Sequence, residues 1–433
     1  MKKVSDYQER AERLIPGGNS LLSKRRQMFS PSKWPSFFDS ARGIKVRDIE
    51  GNEYEDFSHF SVGTCILGYA NSEVNEEVIK AVKNGNMSTL NAYEEVDMAD
   101  RLTKMHSWSS MVRFAKTGGE ANAIAVRIAR AFNGKEKIIV HGYHGWHDWY
   151  LSANLGDSDA LDGHLLPGLT PKGVPRALKH TTIPLDVFNF NILEETLKKG
   201  DVCAVKMEVM RNKRPTYDEL LVIRNLCNKY DCLLIFDECT SGFREAFGGM
   251  HLNYSISPDL MILGKTMSNG YSLTAVLGTK EVMNSSSSSF ISSTFWGERT
   301  GFVAGIKTLE IMEREKSWLK ITKLGEYYKS KLNETFKSHD LEVNWSGMPS
   351  LIGYSLNTNK WLHIKTFITE ELLEMGYLHG ALFYPSIAHN EKQIDNFNLA
   401  LNLVLTKAAS LGEEEIEKLV GNTVCHSTFK RLN

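Results

Sequence analysis

Two short apolar segments near the middle of the chain constrain its fold more than any other feature. Residues 233–238 form one of them and end in Asp237 and Glu238, and residues 258–265 form the other and end in Lys265. Each has the length and the continuous apolar character of a parallel strand that is buried on both faces. Because ligands bind at the carboxyl edge of such sheets, the pattern predicts that an acid and an amine meet at a binding site.

The sequence around these segments alternates between two periodicities. Helical patterns over residues 72–84, 94–105 and 119–133 are interspersed with short apolar runs at residues 137–141, 202–207, 232–237, 259–264 and 273–278. This alternation predicts an α/β fold with a mostly parallel sheet covered by helices. At 433 residues the chain exceeds one ordinary core, so we assign residues 66–315 to a large domain and expect a smaller lobe besides.

The smaller lobe is predicted to be α+β and to use both ends of the chain. Residues 43–56 alternate around a Gly-Asn turn, which favours a β-hairpin or meander, and we assign residues 1–65 to this lobe with residues 316–433 as a C-terminal domain. A polar helix over residues 5–15, one long helix over 300–337 and a mobile surface loop at the serine run 285–289 are also predicted. In the C-terminal part, strands are expected at 342–354 and 380–385, with helices at 391–408 and 412–420.

Composition excludes several classes of partner. The chain has 51 Lys and Arg against 52 Asp and Glu, a net charge of -1, so nothing favours nucleic acid or an anionic membrane over a small substrate. No apolar run approaches the length of a membrane span, and the N-terminus lacks the apolar region of a secretory signal. The six cysteines are scattered without paired metal spacing, which favours a reducing compartment and a cytoplasmic enzyme.

An acid and an amine at one sheet edge suit a particular cofactor. Pyridoxal phosphate condenses with a lysine amine, and a carboxylate beside its pyridine nitrogen keeps that nitrogen protonated. Asp237 and Lys265 are the candidates for these two roles. The alternative is that both residues are ordinary charged ends of buried strands, and the pair by itself leaves that alternative open.

A glycine pair at a helix start could hold the phosphate of such a cofactor. Gly118 and Gly119 open a helix with a continuous apolar stripe, and free backbone N–H groups there, with the helix dipole, attract anions. A plain tight turn before a helix is the alternative for an isolated Gly-Gly. The segment is not a Walker loop, because the Lys-Ser/Thr ending is missing.

The histidine-rich segment 141–150 follows another predicted strand and should reach the same edge. We choose Tyr143 as the aromatic side chain that stacks on a pyridine ring. Three histidines, His141, His144 and His147, could instead bind zinc. Their spacing places them on one face only in a helix, and the glycines of the segment disfavour a helix, so we predict no metal.

Other acidic residues near these strand ends have several interpretations. Asp237 closes an apolar strand, where a buried carboxylate needs a partner. We interpret Glu238 and Arg244 as an ordinary surface pair. Glu208 ends a further apolar run and either reaches the same pocket or is a solvated strand end.

Together these segments resemble the class III aminotransferases of fold type I, the aspartate aminotransferase-like fold, and among them most closely the glutamate-1-semialdehyde aminomutases. The resemblance covers about residues 8–400. It is carried by an ordered set of motifs: residues 43–57, Thr117-Gly118-Gly119-Glu120-Ala121, Tyr143-His144-Gly145, Phe236-Asp237-Glu238 with Gly242-Phe243-Arg244, and the lysine signature 258–265. Gly119 stands where that family usually has threonine or serine.

The resemblance implies roles for individual residues. Lys265 forms the internal aldimine and moves the proton, Asp237 pairs with the pyridine nitrogen, and Tyr143 stacks on the ring. Cofactor contacts are implied for Gly118, Gly119, His144, Glu208 and Thr294. Thr294 matches a family threonine that reaches the phosphate in the neighbouring subunit, which implies a homodimer with shared active sites.

Departures from the aminomutase pattern bear on the reaction. Its Pro-Val-Arg after the opening Asn-Ser is replaced by residues 21–26, and its C-terminal Phe-Glu-Ala-Gly-Phe has no counterpart in residues 383–389. Substrate recognition is therefore expected to differ. The first hypothesis is an aminotransferase that moves an amino group from an amino acid, such as L-glutamate, to a ketone or aldehyde. The alternative is the aminomutase, which makes 5-aminolevulinate.

Overall fold

The structure is a computed structural model that describes residues 3–157, 159–164, 168–210 and 213–427. Its strands are β1 (Phe38–Arg42), β2 (Lys45–Asp48), β3 (Glu53–Asp56), β4 (Met111–Ala115), β5 (Lys137–His141), β6 (Thr182–Pro184), β7 (Val202–Glu208), β8 (Leu233–Glu238), β9 (Leu260–Leu263), β10 (Thr274–Gly278), β11 (Val343–Met348), β12 (Leu351–Leu356), β13 (Tyr377–Leu378) and β14 (Leu382–Phe383). Its α-helices are α1 (Val4–Leu14), α2 (Phe60–Gly63), α3 (Ser72–Lys83), α4 (Glu94–Met105), α5 (Gly118–Asn133), α6 (Asp148–Leu151), α7 (Phe190–Leu197), α8 (Tyr217–Lys229), α9 (Lys280–Asn284), α10 (Arg299–Glu315), α11 (Ser317–Ser338), α12 (Trp361–Glu374), α13 (Glu391–Leu411) and α14 (Glu413–Val420).

The chain forms two compact units. One contains residues 72–316, and the other combines residues 1–71 with residues 317–433. The domain limits proposed from the sequence stay a prediction. Among the residues that the structure describes, no helix has the length and apolar character needed to cross a membrane.

The unit of residues 72–316 is built on a seven-stranded sheet with the order β4-β10-β9-β8-β7-β5-β6. The five strands from β9 to β6 are parallel neighbours, and β10 runs antiparallel to both β9 and β4. The predicted mostly parallel sheet is therefore confirmed. The central strands β7 and β8 are buried along their whole length, as expected for strands covered by helices on both faces.

Helix α5 shows why this sequence covers the sheet as it does. Thr117 and Glu120 form a capping box that satisfies free N–H groups at its start, and Gly134 ends it in the left-handed conformation with φ 70°. Between these ends its alanine and isoleucine side chains pack on β4, β5, β7, β8, β9 and β10 in one apolar core. The helix start is thereby held at the sheet edge.

The other unit joins both ends of the chain in one core. Strand β13, from the C-terminal part, pairs in parallel with β3 of the N-terminal hairpin and extends the sheet β1-β2-β3-β13. A second sheet, β11-β12-β14, lies in the same unit. Phe57 stacks on Phe397 at 4.5 Å and on Phe383 at 5.3 Å between ring centroids, which links the two chain ends through aromatic packing.

Three sequence predictions of local structure are wrong. The strand expected over residues 342–354 is an antiparallel hairpin of β11 and β12. The single helix over residues 300–337 is two helices, α10 and α11, because Lys316 adopts a left-handed conformation with φ 49° and caps the first. The serine run is not an irregular loop: Ser285–Ser288 form a 3-10 turn against α5, in which Ser287 and Ser288 are exposed but Ser286 is buried. The Ser285 hydroxyl donates to the carbonyls of Val282 and Ile128. No glycine or proline in the sequence indicates the helix break at Lys316 or the packing of the serine run on α5.

Candidate active site

Four parallel strands deliver polar side chains to one edge of the seven-stranded sheet. Asp237 lies at the end of β8, and Glu208 lies directly beside it at the end of β7. Lys265 follows β9, and the segment after β5 contributes His144 and Tyr143. The predicted meeting of an acid and an amine at this edge agrees with the strand order, because β7, β8 and β9 are parallel neighbours.

Asp237 is a buried carboxylate with several partners. His144 donates from Nδ1 to Asp237 Oδ2 at 2.8 Å, and the backbone N–H of Cys239 donates to Oδ1 at 3.1 Å. Burial alone would raise the pKa of Asp237, but Lys206 and His144 outweigh burial and hold that pKa well below its usual range. Burial and the nearby Lys206 lower the pKa of His144, whereas its hydrogen bond to Asp237 opposes that shift. Asp237 is therefore an ionised acceptor.

Lys206 is a neighbour of Asp237 that sequence reasoning did not identify. Its ammonium nitrogen lies 3.7 Å from Asp237 Oδ2, and the side chain is completely buried. A lysine within an apolar strand is the one sequence signal that could have indicated it.

Lys265 occupies a constrained position after β9. Its φ of 44° is left-handed, a conformation that non-glycine residues adopt at an energetic cost and that concentrates at functional sites. Lys265 Nζ donates to the Thr240 hydroxyl at 2.8 Å. Thr240 was not singled out from the sequence, and its place three residues after Asp237 is the signal that could have found it.

Cys239 is half-buried beside both charged groups. Burial raises the pKa of its thiol to about 11, while Lys265 lowers it and Asp237 raises it. The electrostatic influence of both residues on one thiol is consistent with an amine and a carboxylate at a single site.

The start of α5 faces this region through its two glycines. A Cβ at Gly118 would lie 3.1 Å from Cys239 Sγ, and a Cβ at Gly119 would lie 2.8 Å from Cε1 and 2.9 Å from Nδ1 of His147. The His147 imidazole thus occupies the space that a larger residue at 119 would need. Its Nδ1 is buried and has no hydrogen-bond partner among the described residues. The sequence signal that could have indicated the position of His147 was Gly119, because the family that this sequence resembles usually has threonine or serine there.

Tyr143 and Glu208 are connected through the backbone. The Tyr143 N–H donates to Glu208 Oε2 at 3.0 Å, and Glu208 is buried. Of the two interpretations of Glu208, the solvated strand end is therefore wrong. Because a Cβ at Gly142 would meet Glu208 Oε2 at 2.7 Å, the glycine allows this close approach.

The interpretation of Glu238 and Arg244 as a surface pair is wrong. Both side chains are fully buried. Glu238 accepts from His251 Nδ1 at 2.7 Å, and Arg244 Nε donates to the Thr240 carbonyl at 2.7 Å. Glu238 alternates with Asp237 along β8, so its side chain points to the opposite face of the sheet.

The three histidines considered for zinc lie in different environments. His141 Nδ1 is 3.3 Å from the Leu185 carbonyl oxygen, His144 pairs with Asp237, and His147 lies against Gly119. Within the described ranges, no group of three or more histidine, cysteine or acidic residues has the arrangement of a metal site. Thr294 is exposed on this chain.

The residues at this edge fit pyridoxal phosphate. Lys265 offers an amine, Asp237 offers an ionised carboxylate, and the α5 start offers N–H groups without helical partners. His147 Nδ1, which has no hydrogen-bond partner among the described residues, lies against Gly119.

Comparisons with known proteins agree with this chemistry. The family described as Aminotransferase class-III matches residues 29–384. The chain is 31% identical over 392 residues to a 3-aminobutyryl-CoA aminotransferase of Cloacimonas acidaminovorans, with 88% of this chain and 87% of the relative covered. It is 33% identical over 352 residues to a glutamate-1-semialdehyde 2,1-aminomutase of Methanothrix thermoacetophila, with 79% of each covered.

Solved structures share the fold. The FumI protein of Sphingopyxis sp. MTA144, solved in its PLP internal aldimine form, superimposes with a TM-score of 0.84 at 23% identity, covering 94% of this chain and 96% of that one. An omega-transaminase from Sphaerobacter thermophilus gives a TM-score of 0.82 at 24% identity, with 94% and 98% covered. The predicted fold type I architecture is confirmed.

Proposed function

The chain belongs to the class-III aminotransferases, and from this premise we propose that it moves an amino group from an amino acid donor, L-glutamate, to a ketone or aldehyde acceptor. The cofactor of this family is pyridoxal 5'-phosphate. The observation that carries the proposal is the buried, ionised Asp237 at the same sheet edge as Lys265. This acid and amine are the two groups that the cofactor's chemistry requires from a protein.

Each residue at the site has a proposed task. When bound, pyridoxal phosphate supplies an aldehyde for amine exchange and a ring that withdraws electrons from the carbon next to the amine. Asp237 holds a proton on the ring nitrogen, and His144 orients Asp237 through its 2.8 Å hydrogen bond. Lys265 Nζ takes the proton from the substrate carbon and returns it to the product. Thr240 positions that amine between these transfers.

Contacts that hold the cofactor are proposed from the same geometry. The Gly118 and Gly119 N–H groups bind its phosphate, and Tyr143 stacks on its ring with its backbone anchored by Glu208. His147 donates to the phosphate from Nδ1, which has no other partner in the described part of the chain, in place of the hydroxyl that Gly119 lacks.

Transfer between two molecules is favoured over an intramolecular reaction. The similarity to a 3-aminobutyryl-CoA aminotransferase spans 88% of this chain. The aminomutase segments Pro-Val-Arg and Phe-Glu-Ala-Gly-Phe are both absent from the sequence. The second candidate, glutamate-1-semialdehyde 2,1-aminomutase, is supported by 33% identity over 352 residues to such an enzyme.

The first test is the visible absorbance of the protein loaded with pyridoxal phosphate, recorded before and after addition of L-glutamate without any acceptor. We expect the yellow band to convert to the shorter-wavelength band of the aminated cofactor, because the first half of the reaction needs no acceptor. A yellow band that does not respond to L-glutamate or to other amino acids contradicts the proposed transfer.

Glutamate-1-semialdehyde separates the two candidates. Incubated alone with the loaded enzyme, it should give no catalytic formation of 5-aminolevulinate if an external donor is required. Sustained formation without a donor would replace the proposal with the aminomutase. Failure of the protein to develop any band with pyridoxal phosphate would contradict both candidates.

Changing Gly119 to alanine should weaken cofactor binding. The new Cβ would lie within 2.9 Å of two atoms of the His147 ring, so the imidazole must move away from the phosphate site. We expect the dissociation constant of pyridoxal phosphate to rise roughly tenfold, the effect of about one charge-assisted hydrogen bond. Spectroscopic titration measures it. Gly163→Ala, at a glycine with open space around its Cβ position, is the matched control, and equal affinities in both variants contradict the role of His147.

A homodimer with shared sites is also proposed. Large apolar side chains are exposed on the unit of residues 72–316, including Leu90 at 81% and Phe290 at 84% exposure, with Tyr93, Val96 and Phe295. Such exposure is expected where a second subunit covers the surface. Thr294, exposed beside Phe295, is available to a neighbouring subunit's phosphate site. Sedimentation equilibrium should give twice the 48.9 kDa chain mass, and a stable monomer would contradict the proposal.

We place the enzyme in the cytoplasm. All six cysteines are free thiols, and five of them are buried. Unpaired buried thiols are typical of proteins that fold in a reducing compartment.

A further inference from the structure

Lys206 is a charged residue within a buried strand, preceded by the apolar residues 202–205. It belongs to β7, and its side chain is 0% exposed. Because side chains alternate along a strand, Lys206 and Glu208 lie on the same face of the sheet, and Glu208 pairs in register with Asp237 of β8. All three charged groups therefore project from one face near the sheet edge.

The ammonium of Lys206 approaches Asp237 without a hydrogen bond to it. Nζ lies 3.7 Å from Asp237 Oδ2, and Nζ has no hydrogen-bond partner among the described residues. The other titratable groups that face it are Glu208 from β7, Cys239 from the segment after β8 and His144 from the segment after β5. A buried ammonium carries a large desolvation cost that an apolar side chain of the same volume would avoid.

We propose that Lys206 is a positioning residue for the cofactor's electronics: it shares the negative charge of Asp237 with the cofactor's ring nitrogen and so lowers the proton affinity of the bound cofactor. This inference rests on the proposed function, since it requires pyridoxal phosphate beside Asp237. Lys206 acts through Asp237 and does not itself touch the reacting atoms.

The charges around Asp237 support this role. Asp237 and Glu208 contribute two acidic groups on this face. A protonated Lys206 balances one of them, which leaves less negative charge to stabilise a proton on the ring nitrogen. Burial lowers the pKa of Lys206, whereas Asp237 and Glu208 raise it, and the lowered pKa of Asp237 reflects the same pairing. Within a dry site, such interactions are weakly screened.

The test is Lys206→Met in the enzyme loaded with pyridoxal phosphate, read as the pH dependence of the cofactor's visible absorbance. Removing a nearby positive charge should stabilise the protonated form of the cofactor, so the midpoint of the titration should shift upward by roughly one pH unit or more. Lys365→Met is the matched control, because burial also lowers the pKa of Lys365. Lys365 and the Met28 carbonyl to which its Nζ donates both belong to the unit that does not contain Asp237. Its midpoint should equal that of the original protein.

An unchanged or lowered midpoint in a folded Lys206→Met protein overturns the inference. If that variant does not fold, Nζ-¹⁵N lysine NMR of the unaltered holoenzyme decides, because the proposal requires an ammonium signal assigned to Lys206 at neutral pH and a neutral amine contradicts it. The proposed function fails separately, when the unaltered protein binds no pyridoxal phosphate or shows no response to amino donors.

Discussion

Replacing Lys265 with alanine is expected to abolish amino-group transfer, with a loss of roughly 10⁴-fold or more in the catalytic rate. The variant lacks the Lys265 amine, which donates to the Thr240 hydroxyl at 2.8 Å. Without this amine, no group remains to exchange with the substrate amine or to transfer the proton at the substrate carbon. Lys206 is a poor substitute, because its Nζ is buried against Asp237. A steady-state assay with L-glutamate and an accepting carbonyl compound measures the loss.

Two observations make this result specific. Lys280→Ala removes an exposed lysine at the start of α9 in the same unit and should leave the rate unchanged. Lys265→Ala should also change the absorbance of added pyridoxal phosphate toward that of the free aldehyde, because the covalent attachment is lost. Substantial turnover by Lys265→Ala would remove the basis of the proposed mechanism.

Replacing Asp237 with asparagine should produce the second large effect, on both catalysis and stability. The neutral amide no longer stabilises a proton on the ring nitrogen, and we expect a loss of roughly 10³-fold in rate. The change also leaves the Lys206 ammonium, 3.7 Å away, without its nearest counter-charge. Breaking a buried ion pair in this way costs about 3–5 kcal/mol of the free energy of unfolding. Rate assays and urea denaturation measure the two effects.

Glu238→Gln is a closely matched control for Asp237→Asn. The two carboxylates are adjacent on β8 and both are buried, but they project to opposite faces of the sheet, and Glu238 pairs with His251. Glu238→Gln should therefore lower stability while leaving the cofactor's absorbance and the transfer rate nearly unchanged. Equal catalytic losses in the two variants would contradict the assignment of Asp237 as the partner of the ring nitrogen.

The stability losses should depend on pH in a defined direction. The pKa values of Asp237 and Glu238 are both lowered in the folded protein, against the opposing effect of burial. Their contribution to stability is therefore present above the unfolded-state pKa of about 4, and it is lost as the pH falls through the folded-state values. The difference in unfolding free energy between each variant and the original protein should shrink on acidification below pH ~4. Urea denaturation across that range measures it.

The chemistry at the strand ends was predictable from the sequence, whereas its surroundings were not. Asp237 and Lys265 were found because each ends a continuous apolar run, a local pattern that identifies a buried parallel strand and its carboxyl edge. Lys206 and Thr240 were missed because their local signals, a lysine within an apolar run and a threonine three residues after Asp237, do not show which side chain each one meets. Lys206 lies beside Asp237 of the neighbouring strand. The Thr240 hydroxyl accepts a hydrogen bond from Lys265, which is 25 residues away in the sequence.

The burial of Glu238 and Arg244 was also not predictable from the sequence. The sequence favoured a surface pair, since two opposite charges in a segment after a strand are usually solvated. In the structure, His251 and the Thr240 carbonyl satisfy them in the interior. Glu238 is buried because His251, thirteen residues away, pairs with it, and Arg244 because the Thr240 carbonyl, four residues away, accepts from it. The pattern of charges in a short segment does not show which groups will pair.

The sequence by itself determined the alternation of helices and buried strands and the positions of Asp237 and Lys265 after apolar runs, because periodicity and strand-end residues are local properties of the chain. The cofactor class follows from the family to which the ordered motifs belong. Tertiary structure alone decided that Lys206 lies against Asp237, that His147 fills the space at Gly119 and that the chain turns at Lys316. These features arise from side chains of separate segments competing for the same space and charge. Their energies depend on distances that exist only once the strands have paired and the core has packed.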